Sequence, residues 1–129
     1  MNKKIVISAS ILGVLAVILG AFAAHGLEKK LSVEEIDTFQ TGVRYQMYHA
    51  LLLLFIANAT YLNAIVKKRI LYLVVLGVLL FSGSIYGLAT NTLTSFNFKS
   101  IAFITPIGGL LLILSWIVML ISFIKFKEE

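Results

Sequence analysis

The chain has 129 residues, of which 60% are hydrophobic and only 13% charged, a balance far outside that of a soluble domain. A domain of this size could not hide so much apolar surface from water, so a soluble globular fold is excluded. The net charge of +5 comes from basic residues flanking apolar runs, which points to orientation in a bilayer rather than to nucleic acid, and the absence of cysteine excludes disulfides, thiolate metal sites, a thiol nucleophile and a lipidated cysteine.

Four stretches carry no charge: Ile5 to Ala24, Tyr45 to Val66, Ile70 to Phe98 and Ser100 to Ile124. Each reaches the about 20 residues that a helix needs to cross about 30 Å of hydrocarbon. Membrane strands need only about 9–11 residues of alternating polarity, and these runs are longer and apolar on every side. The expected fold is therefore an all-α membrane protein, a single four-transmembrane-helix bundle with spans over residues 5–24, 45–65, 70–89 and 104–124. The first run follows Met1-Asn2-Lys3-Lys4 and ends in Ala21-Phe22-Ala23, which also fits a secretory signal. It exceeds the usual signal core of roughly 7–15 residues, so a retained helix is expected.

Ser32 and Glu35 have the spacing of a capping box, and Ile36, Phe39, Val43 and Met47 follow at helical intervals. This predicts a short amphipathic helix lying in the outer interface and running into the second span. Asn63 precedes the inner turn, Asn91 and Asn97 punctuate the second outer segment, and Pro106 marks the first turn of the fourth span, where a proline loses no hydrogen bond.

Sorting the connecting segments by parity puts Lys3, Lys4, Lys67, Lys68, Arg69, Lys125 and Lys127 on one side, and Lys29, Lys30, Arg44 and Lys99 on the other. The excess of bases on the first side predicts that both termini are cytoplasmic, in a multi-pass cell membrane protein. Small residues recur at Ala16, Gly20 and Ala24, at Gly83 and Gly87, and at Gly108, Ser115 and Ser122, and these predict seams for close helix packing.

Ionisable groups in or near a span are costly and usually face a cavity or a partner. The candidates are His25 at the outer end of the first span, with Arg44 and His49 at the outer start of the second. Tyr45, Gln46 and Tyr48 add hydrogen-bonding groups beside them. Ser82, Ser84 and Tyr86 belong to the outer half of the third span, and Thr105 opens the fourth. Parity brings these to one end of the bundle, where His25, Arg44 and His49 are expected close together. Trp116 is expected to serve packing.

The segments Gly20-Ala-Phe-Ala-Ala-His-Gly-Leu27, Thr41-Gly-Val-Arg-Tyr-Gln-Met-Tyr-His-Ala50, Phe81-Ser-Gly-Ser-Ile-Tyr86 and Ile104-Thr-Pro-Ile-Gly-Gly109 resemble the YwdK/YgdD-like membrane proteins. This family is the domain of unknown function 423, related to transmembrane protein 256 of eukaryotes. The resemblance runs over most of the chain and implies a small multi-pass membrane protein without an assigned reaction.

Three kinds of function remain open from the residues. A non-enzymatic protein would use the outer cluster to bind a lipid headgroup, a small anion or a partner helix, with Arg44 as the anchor. A small transporter or channel is the second, although every carboxylate lies outside the spans. An enzyme is the third, with His49 as a base or with His25 and His49 on a metal, but the two histidines lack a cysteine or carboxylate at ligand spacing. No cofactor is implied. The expected partners are membrane lipids and a membrane protein, either a different one or a second copy of the chain.

Overall fold

The computed structural model describes residues 1–128. Four long helices make the fold: α1 (Asn2–His25), α2 (Val33–Asn58), α3 (Ala64–Ala89) and α4 (Ile104–Lys125), with 3₁₀ turns at Asn91–Leu93 and Phe98–Ile101. No strand occurs among the described residues. α1, α3 and α4 are each long and apolar enough to cross a membrane. At 26 residues α2 is as long as α3, about 39 Å, but Arg44, Gln46 and His49 dilute its apolar character. One end of the bundle carries residues 26–32 and 90–103 and is called the loop end. The other carries Met1, the turn at 59–63 and the tail after α4, and is called the terminal end.

The capping box forms as expected. Glu35 N donates to Ser32 Oγ at 3.1 Å, and Ser32 N donates to Glu35 Oε1 at 3.0 Å. The helix it opens is neither short nor separate, because α2 runs unbroken through the expected interfacial helix and into the second span. Nor does its apolar stripe lie in an interface. Phe39 is buried and, with Ile36 and Val43, packs on Ala23, Leu27, Leu31 and Ala89, because the loop folds back through Leu31 N donating to Leu27 O.

The second span also ends earlier than residue 65. Ala59 leaves the helical region at φ −77°, ψ 109°, and Asn63 starts α3 by accepting from Val66 N at 3.0 Å. The turn is therefore 59–63, and Lys67, Lys68 and Arg69 lie in the first two turns of α3. Charge marks where a chain leaves the bilayer, whereas the cap marks where the helix begins.

Each long helix packs chiefly on its neighbour in sequence: α1 on α2, α2 on α3, α3 on α4. No comparable contact joins α1 to α4, so the bundle is open along that side. The seams differ in part from expectation. At Gly108 an added Cβ would meet the backbone of Leu80 and Phe81, and at Gly77 it would meet Leu112, so α3 and α4 approach backbone to backbone there. Ser115 is buried on the same face, and Gly20 lies against Val43 and Gln40 of α2. Gly83 meets nothing within 4 Å and Gly87 faces Phe98, so the Gly83–Gly87 pair is no helix seam.

Candidate functional site

The polar groups of the middle helices are sorted by the direction each takes around α2. Gln46, 4% exposed, points into the bundle, where its Nε2 donates to Leu12 O of α1 at 2.8 Å and its Oε1 accepts from Tyr86 Oη of α3 at 2.7 Å. One side chain thus ties three helices. Beside it Ser82 Oγ donates to Gly42 O at 2.7 Å. That bond needs glycine at position 42, since a Cβ there would stand 2.8 Å from the Tyr86 ring. Toward α1, Gln40 Nε2 donates to Gly20 O at 3.1 Å. No buried side-chain nitrogen or oxygen among the described residues lacks a partner, as low-dielectric burial requires.

His49 takes a different direction. It is 4% exposed, and its Nδ1 lies 2.7 Å from Tyr45 O while Trp116 Nε1 of α4 stands 3.1 Å from its Nε2. An indole nitrogen can only donate, so Nε2 is the acceptor and the ring proton sits on Nδ1, donating to Tyr45 O. The pair bridges a groove of about 300 Å³ between α2 and α4, floored by Phe81 of α3 and bordered by Tyr45, Gly109, Leu112 and Ile113. Phe81 packs against Tyr45 at 5.1 Å between ring centroids. Trp116 is therefore more than packing. Its single donor at the level of a histidine in an apolar run is the sequence signal that could have found it.

Arg44 and His25 do not join this arrangement. Arg44 Nη2 donates to Thr41 Oγ1 at 3.0 Å and lies 4.0 Å from Asp37 Oδ1, both on its own helix, with the side chain 48% exposed. Tyr48, one turn on, is exposed as well, and its ring contacts that of Tyr45 at 5.6 Å. His25 is exposed at the last residue of α1. Ser84 and Thr105 form a separate link between α3 and α4 at 2.6 Å. The nine expected site residues thus divide into a structural tie (Gln46, Tyr86), a groove (Tyr45, His49), an interhelical bond (Ser84, Thr105) and an exposed face (Arg44, Tyr48), with His25 apart.

At the loop end Thr92 Oγ1 donates to Glu35 Oε2 at 3.3 Å, joining the segment between α3 and α4 to the first turn of α2. The hydrogen bonds from the Ser32 backbone and hydroxyl hold the Glu35 carboxyl below its ordinary value, with a smaller contribution from Thr92. Among the described residues no three His, Asp or Glu side chains come close enough to hold a metal ion.

The family model for a protein of unknown function (DUF423) matches residues 19–109, from the last turns of α1 through the first of α4. The chain belongs to this family. Its relatives include the UPF0382 membrane protein YwdK of Bacillus subtilis, 39% identical over 96% of this chain and 98% of the relative. The UPF0382 inner membrane protein YgdD of Escherichia coli is 36% identical over 99% and 95%. The UPF0382 membrane protein SH2409 of Staphylococcus haemolyticus is 40% identical over 96% and 98%. No solved structure matches. The family match spans all of α2 and α3, and so includes Gly42, Gln46, His49, Ser82 and Tyr86, while Leu12 and Trp116 lie outside it. The chain is thus a membrane protein of the DUF423 family whose relatives are named for their membrane location and not for a reaction.

Proposed function

We propose that this DUF423 protein is a non-enzymatic, four-crossing protein of the cell membrane that holds an anionic lipid at the outer end of α2. Both termini are cytoplasmic in this reading. The fourth crossing is α2, whose buried polar groups are satisfied by α1, α3 and α4, so its polar residues cost little against lipid. The base-rich terminal end is the cytoplasmic one.

The observation that carries the reading is the half-exposed side chain of Arg44, with Tyr48 on the same outward face and the α2–α4 groove opening beside the adjoining Tyr45. Among the described residues only Nη2 of Arg44 is engaged, which leaves the remaining donors for a phosphate fork. A groove of about 300 Å³ lies at the small end of ligand sites and suits one acyl chain. Catalysis by His49 is disfavoured, since Nε2 already accepts from Trp116 and would have to release it to act as a base. A transport path through Gln46 and Tyr86 is disfavoured likewise, because their mutual bond and the bond to Leu12 O fasten helices together.

The test is lipid co-purification from wild type and Arg44→Ala, read by native mass spectrometry in a zwitterionic detergent. The expected result is loss of a bound anionic lipid in the variant. Identical bound lipid in both would overturn the assignment.

A further inference from the structure

At the terminal end Lys67 is buried, 7% exposed, in the first turn of α3. Its ammonium donates to Asn2 Oδ1 at 3.0 Å and to Ala57 O at 3.2 Å, both neutral acceptors. Among the described residues it forms no ion pair with a carboxylate. A buried charge without a counter-ion is costly, and the partial negative charge at the end of α2 offsets only part of that cost. The third N–H of the ammonium has no partner among the described residues.

An open cleft of about 470 Å³ lies against Lys67, lined also by Met1, Asn2, Lys3, Leu62 and Ala64. Lys3 adds a second cation, and Ala64 is the first residue of α3, so the positive end of that helix faces the same space. Lys4, Lys68 and Arg69 belong to the same end of the molecule, and among the described residues the acids of that end are confined to Glu128 in the tail. Four of the six acids, Glu28, Glu34, Glu35 and Asp37, lie at the opposite end.

We propose that this cleft is a binding site for a phosphate-bearing anion, held by Lys67 and Lys3 between the start of α1 and the α2–α3 turn. The anion supplies the counter-charge that Lys67 lacks, and Asn2 fixes the ammonium so that its free N–H is directed at the ligand. Because Lys67 also holds the end of α2 through Ala57 O, an occupied site locks α1, α2 and α3 together at this end. The site is separate from Arg44, which lies at the other end of the bundle.

A phospholipid headgroup and free phosphate share this chemistry, and the experiment separates them. The full chain is reconstituted in nanodiscs of phosphatidylcholine with and without phosphatidylglycerol, and in zwitterionic detergent with and without inorganic phosphate. Thermal unfolding and lipid stoichiometry by native mass spectrometry are read in each. Stabilisation by phosphatidylglycerol alone identifies a headgroup, and stabilisation by inorganic phosphate as well identifies the free anion. Lys3→Gln, which leaves the bond to Ala57 O intact, should weaken phosphatidylglycerol binding by about tenfold, the size expected for a lost charge-assisted contact. Lys67→Arg keeps the charge and should retain binding, while Lys67→Gln should abolish it. Arg44→Ala should remove the lipid held at the outer end yet keep the difference between Lys3 and Lys3→Gln in an otherwise identical chain, so failure at the outer end and failure here are distinguishable. No stabilisation by either anion, or an equal response in wild type and Lys3→Gln, would overturn the proposal.

Discussion

Trp116 Nε1 and His49 Nε2 stand 3.1 Å apart, joining residues separated by 67 positions in sequence and forming the single side-chain hydrogen bond between α2 and α4 among the described residues. α4 otherwise rests on α3, so this bond decides how tightly the groove between α2 and α4 is closed.

Removing the indole donor by Trp116→Phe should therefore free α4 on its α2 side while leaving the α3 contact at Gly108 in place. The expected cost is about 0.5–1.5 kcal/mol in detergent unfolding, and His49→Phe combined with Trp116→Phe should cost less than the two singles added. Trp116 is the chain's one tryptophan, so its fluorescence reads the site directly. His49→Phe should shift its emission, and unchanged emission would mean that the pair is not formed.

Gln46→Leu keeps the volume but leaves Tyr86 Oη without its buried acceptor. A loss of about 1–3 kcal/mol is expected, and adding Tyr86→Phe should recover part of it by removing the stranded hydroxyl. Denaturant titration of the two single variants and the double variant checks this. Strict additivity would refute the tie.

The glycines of α3 and α4 give a contrast within one experiment. Gly108→Ala sets a methyl group against the Phe81 backbone and should cost about 1–3 kcal/mol, whereas Gly83→Ala meets open space and should stabilise by about 0.5–1 kcal/mol. Melting temperatures of the two variants in the same detergent should move in opposite directions.

The capping carboxylate of Glu35 yields a pH prediction of definite sign. Its folded value lies below 4.5, so the stabilisation of the start of α2 is fully present above about 4.5 and is lost as pH falls through the lowered folded value. Hydrogen exchange at the amides of residues 32–36 should accelerate relative to the rest of α2 in that acid window. Glu35→Gln should remove this pH dependence.

Much of the architecture was legible because each feature had a local cause. α1, α3 and α4 are read from uncharged runs, and the start of α2 from the side chains of Ser32 and Glu35, whereas Asn63, read as preceding the inner turn, caps the start of α3. The turn at 59–63 was missed because it is itself uncharged and hidden inside an apolar run. Parity gave the level of each polar residue but not its direction. Arg44 and His49 are five residues apart, which turns them about 140° from one another around α2, and this separates the exposed arginine from the buried histidine. The Gly83–Gly87 spacing was misleading for a related reason, since spacing along one helix does not say which neighbour, if any, lies opposite.

The open row of helices has a consequence for how the chain is made. Each long helix after the first packs on the one synthesised just before it, so order of emergence and order of packing coincide. Hairpins can assemble as they leave the ribosome, without waiting for the last helix to return to the first. The free flanks of α1 and α4 are then the surfaces on which the finished protein meets its surroundings, and a chain interrupted before α4 would already hold the Gln46 junction complete.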